Sequence, residues 1–258
     1  MCSNYQPVTS LERLLTFFGA ERNPDLDPSP AEIYPLGLAP FIRKADEASG
    51  NRRIVENALF GMIPPFAKEI AYGRKTYNAR SETVDQLVTY KAAWAKGQRC
   101  IIPAEAIFEP CYETGKAVRW CIQQDGGVPM GIAGIYRPWR APDGRWLWTM
   151  SMLTVNADGH PIFKRMHRSE EEKRMVVILD RADYLGWLSC DVSEAPRYLR
   201  QWPGALLGEP SAVVPVPKAA RPAPEAPEAA LPPPPKPAKA RPPKPPAEGD
   251  PPVQGDLF

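Results

Sequence analysis

The sequence predicts an α+β fold: a curved, barrel-like antiparallel β-sheet flanked by short helices, plus a disordered proline-rich tail. Three observations carry this expectation. Between residues 99 and 179 apolar residues recur in short runs with strand-like alternation, as in Val118, Trp120 and Ile122. The helical patterns are brief and lie outside that stretch. The third is the distribution of the 33 prolines, 14 of which crowd into residues 218–258 and leave enough chain before them for a sizeable core.

Taken in order, Thr9 and Glu12 have capping-box spacing ahead of Leu11, Leu14, Leu15 and Phe18, with Gly19 as a stop. This predicts a helix over 10–18. Residues 20–50 are rich in Pro, Asp and Glu and read as a long loop. Arg53–Phe60 reads as a strand ending at Gly61. In GMIPPF (61–66), Pro64 and Pro65 lack donors and exclude helix and central strand. Ser81 caps a predicted helix to about Ala95, closed by Gly97. Strands are predicted over 99–103, 105–110, 117–123, 131–136, 145–155 and 175–179, and short helices over 181–189 and 194–201. Helices beside an antiparallel sheet make an α+β architecture. Residues 1–208 thus read as one folded domain and 209–253 as a disordered Pro/Ala/Lys-rich linker. Residues 254–258 form a separate terminal peptide.

Hydrophobic residues make up 43% and charged residues 24%, an ordinary globular balance. No apolar run reaches the length of a transmembrane helix, and the first residues lack the basic and apolar regions of a signal peptide. Neither a membrane partner nor secretion is expected. A net charge of +2 decides nothing about nucleic acid by itself. Five cysteines at irregular spacing, without a CxxC pair, argue against a disulfide scaffold and a zinc site, and fit a reducing cytoplasm. No metal and no cofactor are expected.

Cys2 directly follows Met1. A small second residue favours removal of the initiator, which would leave an α-amine beside a thiol. That amine has a pKa of about 8, so a useful fraction is nucleophilic near neutral pH. The pair can close on an aldehyde as a thiazolidine. The plainer reading is that Cys2 is only the residue after the start. Asn78 and Arg80, in NAR before a predicted helix, could orient an amine and grip phosphate, or simply occupy a loop. Glu109 ends the apolar run RCIIPAEAIFEP, either as a proton-transfer group or as an edge-strand charge. Of the two histidines, His160 reads as a turn residue. His167 lies among Lys164, Arg165 and Arg168, a setting that suits phosphate contact and proton shuttling.

Together these residues carry a resemblance. MC at the start, FGMIP at 60–64, NARSET at 78–83, RCIIPAEAIFEP at 99–110, LTVNAD at 153–158, and KRMHR before RMVVIL resemble the SOS-response-associated peptidase (SRAP) family. The motifs run in order across most of residues 1–190. The resemblance implies a sensor of abasic sites in single-stranded DNA, with a positively charged groove beside a barrel-like sheet. It assigns Cys2 as the nucleophile that crosslinks to the abasic aldehyde, Asn78 as the group that holds it, and Glu109 as acid/base. His167 would act in proton transfer and crosslink reversal. Arg80, Pro40, Phe66 and Thr154 would meet the DNA, with Arg165 and Arg168 in the basic segment. Phe66 stands where tryptophan is usual and offers a flat face to an unpaired base. The family's common Met-Cys-Gly-Arg-Phe opening is replaced by Cys2, Ser3, Asn4 and Tyr5. Asn4 lacks the guanidinium, which Arg43, Arg52, Arg53 or Arg74 could supply instead.

The function this implies is covalent capture of abasic single-stranded DNA at replication forks, with autoproteolytic removal of Met1 and an associated lyase activity. Two alternatives stand beside it: a non-catalytic single-strand-binding sliding-clamp adaptor, and a cysteine peptidase on protein substrates. The terminal QGDLF resembles the bacterial sliding-clamp-binding peptide. Leu257 and Phe258 would fill an apolar pocket, Gln254 would bond at its rim, and Asp256 completes the pattern. A flexible linker would raise the effective concentration at the fork. The expected place is the cytoplasm, at the nucleoid, and the expected state a monomer.

Overall fold

A computed structural model describes residues 2–23, 29–45 and 51–212. The elements run β1 (Asn4–Pro7), α1 (Leu11–Thr16), β2 (Glu21–Arg22), β3 (Leu38–Lys44), β4 (Arg53–Phe60), β5 (Asn78–Arg80), α2 (Lys91–Ala95) and β6 (Arg99–Cys111). There follow β7 (Val118–Gln124), β8 (Met130–Arg140), β9 (Trp146–Asn156), β10 (Arg174–Val176), β11 (Ile178–Leu179), α3 (Tyr184–Ser189) and β12 (Leu206–Pro210).

Five strands close a barrel in the order β6–β8–β9–β4–β3 and back to β6. Closure removes the unpaired edges that an open sheet would expose. Most joints are antiparallel, but β4 runs parallel to β9 (Leu59 opposite Thr149), as do β5 to β9 and β2 to β4. β6 is the hub. Its first half pairs with β8 (Arg99 opposite Ile135) and its second half with β7 (Ile107 opposite Ile122) and β1 (Asn4 opposite Phe108). Its burial is nearly continuous, as expected for a strand covered on both faces.

Phe41, Ile42, Val55, Ile101, Ile132, Ile135, Met150 and Met152 are all fully buried in the core. Each such side chain contributes about 1.5–3 kcal/mol relative to exposure. Against β6 and β3 packs α3, which buries Tyr184, Trp187 and Leu188. Trp187 Nε1 donates to Cys100 O at 2.8 Å. Gly131 permits this approach, since a Cβ there would lie 2.3 Å from Tyr184 Oη.

Several expectations are corrected. The supposed loop over 20–50 contains β2 and β3. The α1 cap is Ser10, whose hydroxyl accepts from Arg13 N at 3.3 Å, rather than Thr9. Of the helix predicted over 81–95 only Lys91–Ala95 is α-helical and the stretch before it is turns. Leu87 and Val88, in that stretch, are exposed. Segments 99–103 and 105–110 are one strand, because Pro103 needs no donor there and its carbonyl accepts from Val8 N at 3.1 Å. The strand over 175–179 divides at Val177, whose carbonyl accepts from Ala133 N and whose N–H donates to Leu153 O. The helix over 194–201 is a single 3-10 turn, Ala195–Tyr198. β12 continues to Pro210 against β7, and Ser211 N donates to Arg119 O at 2.8 Å. The rest of the predicted linker and the peptide Gln254–Phe258 lie outside the described residues. Among the described residues no helix is long and apolar enough to cross a membrane.

Candidate active site beside the first strand

The pairing of β1 with β6 carries Cys2 toward the end of β6, where Glu109 stands. Cys2 is fully buried. Its thiol donates to Asn4 O at 3.3 Å, and its carbonyl accepts from Asn78 Nδ2 at 2.8 Å. Asn78 is set by β5, where it lies opposite Met152 of β9. Tyr90 Oη donates to Asn78 O at 2.9 Å from the turn before α2. Burial, and then the negative charge of Glu109, push the Cys2 thiol well above its ordinary range, so the sulfur is held neutral. Tyr77 is half-buried beside the same groups. Burial, then Cys2 and Glu109, raise its phenol.

Glu109 is 1% exposed and His167 8%. Their side chains meet at 3.1 Å, Nε2 to Oε2. Nδ1 lies 4.0 Å from Glu171 Oε2. His167 has φ +61°, a left-handed conformation that costs a residue with a Cβ about 1–2 kcal/mol. Its N–H donates to Pro110 O at 2.6 Å. A carboxylate and an imidazole in contact, near a buried thiol, are equipped to move protons between a nucleophile and a carbonyl.

The four residues Cys2, Asn78, Glu109 and His167 are therefore brought together. The other candidates are more scattered in character. Arg80 is exposed and paired with Glu172 at 2.7 Å. Arg165 makes two bonds to Glu113, at 2.8 and 2.7 Å, and its guanidinium lies over the Trp120 ring at 4.6 Å. Arg168 stacks over Tyr112 at 4.9 Å. Phe66 is 55% exposed and meets Tyr72 edge-on. Pro40 and Thr154 are both buried. Pro40 is buried inside β3 opposite Asn57. Thr154 is 1% exposed, and its hydroxyl accepts from Arg174 Nη2 at 3.2 Å.

Asn4 Nδ2 donates to Glu32 Oε2 at 3.0 Å, and the same oxygen accepts from Arg119 at 2.7 Å and Tyr34 Oη at 2.9 Å. Arg119 is thus the guanidinium that stands by Asn4. Arg43 pairs with Glu56 and Arg52 with Glu21. Arg53 packs under Gly19, and Arg74 is in the 3-10 segment Ile70–Lys75. Glu32, Tyr77, Tyr90, Glu113, Arg119, Glu172 and Arg174 escaped the sequence reading. Tyr77 directly precedes NAR and was within reach. Glu172, Glu32 and Glu113 lie far along the chain from Arg80, Arg119 and Arg165 and left no local signal.

Fold and site together define an α+β barrel protein with a cysteine near the chain start packed against a carboxylate–imidazole pair. Residues 1–219 match the SOS response associated peptidase (SRAP) family model, and the chain belongs to that family. It is similar to the abasic site processing protein YoqW of Bacillus subtilis, 28% identical over 60% of this chain and 65% of that protein. It is also similar to the abasic site processing protein HMCES of Mus musculus, 25% identical over 52% of this chain and 46% of that one. The matched segment thus spans just under two thirds of YoqW and about half of HMCES. A crystal structure of a Bordetella bronchiseptica protein is 38% identical, with a TM-score of 0.75, covering 82% of this chain and all of that one. A Bacteroides thetaiotaomicron structure, 19% identical with a TM-score of 0.66, shares the fold.

Proposed function

We propose that this protein processes abasic sites by covalent capture in single-stranded DNA, through Cys2 freed of Met1. The observation that carries the reading is the contact of Asn78 with the Cys2 carbonyl beside the Glu109–His167 pair. An aminothiol fixed there faces an acid/base that can serve each step. The family and the names of its relatives supply the substrate class.

The α-amine attacks the C1′ aldehyde of the ring-opened sugar. Glu109 collects a proton from the attacking nitrogen and delivers it to the carbonyl oxygen. Water leaves and an imine forms. The thiol then adds across the C=N bond: sulfur bonds to carbon, and the thiol proton passes by way of Glu109 to nitrogen. The sum is aldehyde plus aminothiol giving thiazolidine and one water. A thiol held neutral by burial suits this order, in which nitrogen attacks first, better than it suits a thiolate peptidase. His167 exchanges protons with Glu109 and serves reversal and the lyase branch. Removal of Met1, by this site or by an aminopeptidase, precedes all of it. Arg80, Arg165 and Arg168 would take phosphates and Phe66 an unpaired base.

The test is incubation with a uracil-excised single-stranded oligonucleotide followed by a denaturing gel. A shifted covalent band, absent for Cys2→Ala, is expected. Binding without a band would favour the adaptor, and Cys2-dependent cleavage of protein substrates the peptidase. For the terminal peptide, a Leu257→Ala/Phe258→Ala variant should lose pulldown of the bacterial sliding clamp and keep the band. Retained pulldown would dismiss the clamp partner, and with it the tether at replication forks in the nucleoid.

A further inference from the structure

We infer that Lys173 is a positioning residue that sets His167 against Glu109, a role that rests on the proton exchange proposed above. His167 sits at a left-handed φ of +61°, which few residues other than glycine adopt, so the turn needs ties. One is the bond from His167 N to Pro110 O at 2.6 Å, which fastens it to β6. The other is Lys173. Its Nζ lies 2.8 Å from Met166 O, 3.3 Å from His167 O and 2.5 Å from Arg168 O. An ammonium has three N–H donors and no acceptor, and these three consecutive carbonyls engage all of them. Such charge-assisted bonds are stronger than neutral ones.

Lys173 is itself staked to the sheet. Its carbonyl accepts from Ala157 N at 2.7 Å, and the next residue, Arg174, opens β10 opposite Asn156 of β9. The turn carrying the imidazole is therefore clasped between β6 and the β9–β10 pair. The 3.1 Å spacing of Nε2 to Glu109 Oε2 depends on both fastenings. Lys173 acts through the backbone of 166–168, with its ammonium committed to that turn, and is no catalytic residue.

The chain has two histidines, which makes the test direct. In protein labelled with 15N-histidine, Lys173→Met should displace the ring signals of His167 and leave those of His160 in place. His160 is pinned separately, its Nδ1 accepting from Ile162 N and Phe163 N. Lys173→Gln, which keeps two amide donors, is the milder probe and should give a smaller displacement. In the crosslinking assay Lys173→Met should slow the wild type about ten- to a hundredfold, the scale of a misplaced proton-transfer group. In a His167→Ala background it should have almost no effect, the signature of residues acting as a unit. Unmoved His167 signals, or equal losses in both backgrounds, would overturn the inference. A wild type that fails to crosslink would remove the proposed chemistry, yet the histidine spectra, which need no DNA, would still decide the clasp.

Discussion

The two ends of β6 each bury a charge and a thiol, and they use them differently. At the start, Arg99 is 2% exposed and lies between the rings of Trp94 and Trp187, 5.5 Å from each. It donates to Cys190 O at 2.5 Å. Burial holds its pKa below the usual range, but a guanidinium keeps its charge in a protein. Its neighbour Cys100 has a thiol raised by burial alone. Near the other end, Glu109 touches His167, and its charge adds to burial in raising the Cys2 thiol. Burial of charge is common to both, so it does not mark a site. What marks one is a buried acid whose neighbours can take and return a proton.

Glu109→Gln should show the largest effect. It removes the proton-transfer group while keeping the shape, and crosslinking should slow about 10²–10⁴-fold, measured by gel time course, with the melting temperature little changed. It should also let the Cys2 thiol fall toward its ordinary range. An unchanged rate would erase the contrast with Arg99. Arg99→Glu comes next and should act on stability alone. An anion put between two indole faces in place of the buried cation should cost about 3–5 kcal/mol in denaturant unfolding. The fraction still folded should crosslink normally. Lost crosslinking at wild-type stability would mean that this end also serves the chemistry.

The smallest effect concerns alkali. Both thiols stay protonated in the folded chain above the ordinary 9.0 at which the unfolded chain ionises. Their stabilisation is complete below that pH and is lost as pH rises past it. Melting temperatures should therefore fall on the alkaline side of 9.0. Cys100→Ala should flatten that fall and keep crosslinking, whereas Cys2→Ala should flatten it and abolish crosslinking. A slope that neither variant alters would place the titrating groups elsewhere.

Much of this contrast was legible in the sequence. β4, β7, β8 and β9 show as apolar runs, and Cys2, Asn78, Glu109 and His167 sit in recognisable local motifs. What escaped depends on distant partners. β3 hides behind Pro40, which is tolerated in the barrel although proline cannot donate. The Ser81 cap and the Gly97 stop suggest one helix between them, but Leu87 and Val88 are exposed and only Lys91–Ala95 is helical, so local cap and stop signals misled where tertiary packing did not follow them. The carboxylates on Arg80, Arg119 and Arg165 come from distant elements; the clasp of Lys173 on the His167 turn is local but ends on backbone carbonyls, which carry no sequence signature. The left-handed φ of His167 is invisible in KRMHR, because no glycine announces it.

The most direct measurement is the intact mass of the adduct between the purified protein and an abasic oligonucleotide. The account predicts the chain lacking Met1 plus the oligonucleotide, less one water. An adduct that retains Met1 would contradict it, since the nitrogen required for ring closure would still be held in a peptide bond.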